Sequence, residues 1–91
     1  MRAIDDRLKY VLARRMKSAV ANPPERAFAR ELLSRGMTAN EVHRLVVLDP
    51  AFDGVPYAFR VAVANEARAI ERERLLESSR RQALTRRAMA A

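Results

Sequence analysis

Gly36-Met37-Thr38-Ala39-Asn40-Glu41-Val42-His43-Arg44-Leu45 reads as a helix stop, a tight turn and a capped helix start. Gly36 suits the left-handed position just past a helix end, where a Cβ would be strained. Thr38 and Glu41 have capping-box spacing, in which each side chain accepts from the other residue's backbone N–H. Met37, just before the cap, is placed to staple onto Val42. Val42, Leu45, Val46 and Val47 give the following helix, from residue 39 to 47 or 48, its inner face.

Working backwards, Asn22-Pro23-Pro24-Glu25 marks the preceding boundary. Asn22 suits a cap, Pro23 the first helical position, and Glu25 the position three residues beyond the cap. The second helix is then expected to reach residue 34 or 35, with Phe28, Leu32 and Ala29 or Leu33 inward. The first helix is expected from residue 4 or 5 to 19 or 20. Ile4, Leu8, Val11, Leu12 and Met16 form its apolar stripe. Asp5 and Asp6 lie near its positive start, and Arg14, Arg15 and Lys17 near its negative end. The opposite face is expected to offer Arg7, Lys9, Arg14 and Lys17 to a partner or to water.

Downstream, Asp49 and Pro50 can start a single helical turn that Gly54 ends, with Phe52 and Val55 as its anchors. A long last helix begins near Pro56 or Tyr57 and meets no breaker before about Arg87. Its stripe is Phe59, Val63, Ala67 and Ile70. Past Ile70 the stripe thins to Leu75, Leu76 and Leu84, too sparse for a long coiled coil. Glu77 and Arg81 have the spacing of a helical ion pair. The expected fold is all-α: a small three- to four-helix bundle with a helix-turn-helix candidate and a long C-terminal helix. A compact helical domain covers residues 1–70. Residues 71–91 form a basic extension, either helical or a partly disordered tail.

Composition agrees with this layout. The chain has 91 residues, two Gly, no Cys and 49% hydrophobic residues, with Ala supplying much of that fraction. Ala favours helix while adding little core area. The absence of Cys excludes disulfides, thiolate chemistry and Cys-ligated metals. No uncharged apolar core of signal-peptide length lies between Met1 and Val20, and no transmembrane run follows. The default expectation is therefore a soluble protein of the cytoplasm or of whatever compartment makes it.

Charge is the strongest functional signal. The formal net charge is +7, and its excess lies at the two ends. Residues 1–20 carry six basic and two acidic side chains, whereas residues 80–91 carry Arg80, Arg81, Arg86 and Arg87 with no acid. Such ends favour phosphate backbones or acidic protein surfaces.

The phrase Gly36-Met37-Thr38-x-x-Glu41-Val42-x-x-Leu45 resembles phrases of bacterial helix-turn-helix regulators, over a short part of the chain. The resemblance implies that the helix after the turn reads DNA. Thr38, Asn40, His43 and Arg44 then face the groove, where Asn suits adenine and Arg suits guanine. In a second register the reader begins at Pro56 and presents Tyr57, Arg60 and Asn65. Arg7, Lys9, Arg14, Lys17, Arg80, Arg81, Arg86 and Arg87 are the expected phosphate contacts.

The leading expectation is a non-enzymatic nucleic-acid-binding protein, a small regulator or architectural component that binds DNA or RNA without a cofactor. The alternative is a helical adaptor or accessory subunit bound to a larger protein, or a homodimer, through Tyr57, Leu75 and Leu76. His43 is the only His, which excludes a Cys/His zinc cluster. Asp49 and Asp53 are explained by capping and turn formation, and Glu66, Glu71, Glu73 and Glu77 by solvation or ion pairing. No metal, and no membrane partner, is expected.

Overall fold

Asp5 opens the first helix by accepting from the Leu8 N–H at 2.8 Å, the bond an N-cap supplies to the otherwise unpaired first turn. In the computed structural model, which describes residues 4–90, four helices follow in order. They are α1 (Asp6–Ala19), α2 (Glu25–Ser34), α3 (Ala39–His43) and α4 (Tyr57–Ala90). A π-type turn over Arg44–Leu48 extends α3, and a 3-10 turn spans Pro50–Phe52. The protein is all-α, with four helices and a long C-terminal one.

The turn between α2 and α3 is built as its sequence specifies. Gly36 has φ +91°, and nothing lies within 4 Å of where its Cβ would sit, so only backbone conformation demands glycine there. Thr38 Oγ1 accepts from the Glu41 N–H at 3.2 Å, and Glu41 accepts from the Thr38 N–H at 3.1 Å. Glu71, reaching across from α4, accepts from the Ala39 N–H at 2.8 Å. Two carboxylates therefore sit at the positive end of α3. Met37 and Val42 are both buried, as stapling requires.

The start of α2 differs from the sequence reading. The helix begins at Glu25, behind Pro24, with no side-chain cap. Pro24 drives the residue before it out of the helical region, so Pro23 is excluded from the first turn and Asn22 from the cap. The continuation of α3 differs too. Beyond His43 the chain widens into the π-type turn instead of an α-helix. Arg60 stabilises the wider turn by donating to the Val47 carbonyl at 2.9 Å, and to Val55 at 2.8 Å.

The core draws on every element. Met16, Ala29, Leu32, Val42, Val46, Phe52, Val63, Ala64 and Ala67 have no exposed surface. Phe28 and Phe59 meet edge to face at 6.1 Å between centroids, a favoured aromatic geometry. The rotation of α1 departs from expectation: Val11 is half exposed, and Ala13 is buried in its place. Lys9, Leu12, Ala13 and Met16 form the inner edge, with Lys9 tied to Asp49 at 2.9 Å and Arg15 to Glu31 at 2.9 Å. These two pairs join α1 to the segment before the 3-10 turn and to α2 in the rotation that buries Ala13.

Asp49 also caps the 3-10 turn through the Ala51 N–H at 2.9 Å, which places Phe52 and Val55 in the core. Burial along α4 ends at Ile70, and residues 72–89 are all exposed. The extension beyond Ile70 is roughly 30 Å of helix. It stretches the molecule to 57 × 30 × 16 Å, with a radius of gyration of 16.1 Å, against about 12 Å for a compact chain of this length.

Glu31 gives the fold a small acid sensitivity. Its hydrogen bond from Arg15, reinforced by the Arg15 and Arg35 charges, holds the carboxyl below its ordinary value of 4.5 against the opposing effect of burial. With the folded value depressed, the pair's stability is present above the unfolded value and lost as pH falls through the folded one. Because Arg15 is half exposed, Glu31→Gln is expected to cost under about 1 kcal/mol at neutral pH. Urea unfolding curves of the two proteins should converge in acid. A gap that persists unchanged would assign the loss to packing instead.

Candidate nucleic-acid interface

The named cations fall on three surfaces. The first lies around α3. Asn40 and Arg44 are exposed, and Thr38 is exposed with its hydroxyl held in the capping box. Arg44 lines a cleft of about 380 Å3 between α1 and α3, together with Lys9. Asp6, Glu41 and Asp49 line the same cleft, so among the described residues its acids outnumber its bases. Lys9 is not a free surface cation: its side chain is only 17% exposed and is paired with Asp49 and with Asp6. The hydrogen bond to Asp49 holds its ammonium above the usual lysine range.

His43 turns toward α4. It is half-buried, and Arg68 donates to its Nδ1 at 3.1 Å. Arg60, a reader in the second register, is committed to two backbone carbonyls and lies 5.5 Å over the Tyr57 ring. Tyr57 itself is exposed, as is Asn65.

The second surface is the outer face of α1, where Arg7, Arg14 and Lys17 are exposed. The third is the α4 extension. Stepping from Arg72 through Leu76, Ser79, Ala83 and Arg86 traces a helical face without an acid, flanked by Arg80 and Arg87. It lies opposite the stripe of Val63, Ala67 and Ile70 that enters the core. Arg81 points elsewhere and pairs with Glu77 at 2.7 Å. Among the described residues, Arg7, Arg14, Lys17, Arg44, Arg80, Arg86 and Arg87 make no ion pair. Leu75 and Leu76, the expected protein-contact residues, are 66% and 55% exposed on the same extension.

Several charged residues hold the bundle together; of these, sequence alone casts Arg60 as a base reader and leaves Glu66, Glu71 and Glu73 to solvation or ion pairing, and it gives Arg26 and Arg68 no role. Arg26 on α2 bridges Glu66 at 3.0 Å and Glu73 at 2.7 Å on α4. Arg68, Glu71 and Arg60 act between α4 and the α3 region. Their partners lie 13 to 47 residues away, a separation that no local pattern reveals. Arg26 thereby pairs two acids of α4 within the bundle, while the end cations Arg80, Arg86 and Arg87 stay exposed.

Among the described residues no helix is long and apolar enough to cross a membrane, and no group of three or more His, Cys, Asp or Glu is placed to hold a metal ion. No protein-family model, curated protein or solved structure matches the chain.

Proposed function

We propose that this is a non-enzymatic nucleic-acid-binding protein, a small regulator or architectural component that grips phosphates through the α4 extension and the outer face of α1. The observation that carries the reading is the acid-free arginine face of α4, which projects clear of the core and lies opposite the residues that anchor it. Arginine suits this task because its planar fork binds phosphate in two-point contacts. The α3 surface fits a supporting role better than base reading. Its one free Arg shares a cleft with three acids, and His43 is engaged with Arg68.

A second reading, a helical adaptor bound to a larger acidic protein, draws on the exposure of Leu75 and Leu76. One experiment separates the two. The purified chain is titrated against a labelled DNA duplex and a labelled single-stranded RNA across a salt series. Binding that weakens steeply as salt rises supports phosphate contact. No binding to either near physiological salt overturns it and turns attention to a protein partner, with Leu75 and Leu76 as the first residues to change.

A further inference from the structure

Arg7, Tyr10, Arg14 and Lys17 follow one another along α1 at steps of three and four residues, so they line one helical face. All four are exposed, and Tyr10 shows 61% of its surface to solvent. The three Phe of this chain are buried in its core, whereas the Tyr10 ring stands outside it beside Arg7, Arg14 and Lys17, with Asp6 one turn away and paired to Lys9 at 3.3 Å. Beside Tyr10 runs a shallow groove of about 310 Å3, between α1 and the turn that follows the 3-10 segment. Ala13, Gly54 and Val55 line it with Tyr10, Arg14 and Lys17, and among the described residues no acid does. The Lys17 ammonium lies along Gly54, 3.6 Å from where a Cβ would sit. Lys9, on the inner edge, brings its ammonium within 6.0 Å of the Tyr10 ring centroid.

An aromatic ring set in a row of cations beside an acid-free groove meets the two requirements of single-stranded nucleic acid. The ring stacks on an unpaired base, and the cations track the phosphates on either side. A duplex hides the faces of its bases within its own stack, so it can use the cations but not the ring. We propose that this face of α1 binds single-stranded nucleic acid, with one base stacked on Tyr10 and the flanking phosphates on Arg7, Arg14 and Lys17. The inference rests on the nucleic-acid reading above and adds the class of strand and the residue that recognises it.

The chain has two Tyr and no Trp, so Tyr57→Phe leaves Tyr10 as the only tyrosine fluorophore. In that background, a short labelled oligothymidylate is titrated against the full chain, with a duplex of equal length in parallel. The expected result is quenching of Tyr10 emission by the single strand, in step with its binding curve. Tyr10→Ala should weaken single-strand binding about tenfold, the low-to-middle range for one lost base stack, and leave duplex affinity unchanged. Tyr10→Phe, which keeps a ring able to stack, should bind as the parent does.

Unchanged Tyr10 emission at saturation, or equal single-strand affinity in Tyr10→Ala, overturns the assignment. If salt-dependent duplex binding persists in that case, the broader nucleic-acid reading stands and only the α1 site falls. Binding to neither probe overturns both.

Discussion

Ending the chain after Ser79 is expected to flatten the salt dependence of duplex binding, by up to about 3.6 in the slope of log affinity against log salt. Arg80, Arg81, Arg86 and Arg87 leave with the deleted segment, and each neutralised phosphate contributes roughly 0.9 to that slope on duplex DNA. Should Arg81 keep its Glu77 partner in the complex, the change falls to about 2.7. Between about 50 and 200 mM salt, the larger value corresponds to a roughly hundredfold difference in how the two proteins lose affinity. Burial in α4 ends at Ile70, so the shortened protein should unfold at nearly the parent midpoint while losing helical signal. A full-length chain with all four arginines changed to Gln separates charge from length and should show the same flattened slope. An unchanged slope in both proteins would move the phosphate contacts to α1 and α3.

This expectation rests on cations whose identity was legible and whose availability was not. The sequence places Lys9 and Arg14 in the same outward-facing group. In the folded chain Lys9 lies on the inner edge and is tied to Asp49, whereas Arg14 stays free. The difference comes from a contact across 40 residues. Val11 was misplaced for the same reason, because a stripe of Ile4, Leu8, Leu12 and Met16 fixes the rotation of α1 only to within about one residue. Most elements set by neighbours in the chain are legible, the diproline boundary excepted. Thr38 with Glu41, Gly36, and Asp49 with Pro50 each work through atoms no more than a few residues apart, and each sits where its pattern puts it. At the diproline, the capping pattern of Asn22 and Pro23 yields to Pro24, which acts on Pro23 before Pro23 can open a helix.

The candidate site divides along the same line. That the ends carry the positive charge was evident from counting. That one face of the α4 extension is free of acid follows from helical spacing once the helix is known to continue past Ser78. The commitment of His43 to Arg68, and of Arg60 to the Val47 carbonyl, depends on how α3 packs against α4. No spacing rule contains that information, and spacing alone assigns both residues to base reading. Their engagement in the fold shifts the weight of the functional reading from α3 to the two surfaces that pack against nothing.

The second large effect is expected at Phe52, whose side chain has no exposed surface and lies in the 3-10 turn that packs on α1. Phe52→Ala removes most of an aromatic side chain from a closed core, a change that costs about 3–5 kcal/mol. Domains of this size are stable by roughly 5–15 kcal/mol in total, with small ones near the lower end. The variant should therefore unfold at a far lower urea concentration with an unchanged slope, and a substantial part of it should be unfolded at body temperature. Phe52→Leu, which keeps more of the buried volume, should remain folded with a smaller loss. The Phe52 turn forms one wall of the groove beside Tyr10, while the α4 extension lies outside the core. Phe52→Leu is accordingly expected to weaken single-strand binding through Tyr10 and to leave the salt slope on duplex DNA intact. Equal weakening of both would mean that the two surfaces act as one continuous site, held in register by the core between them.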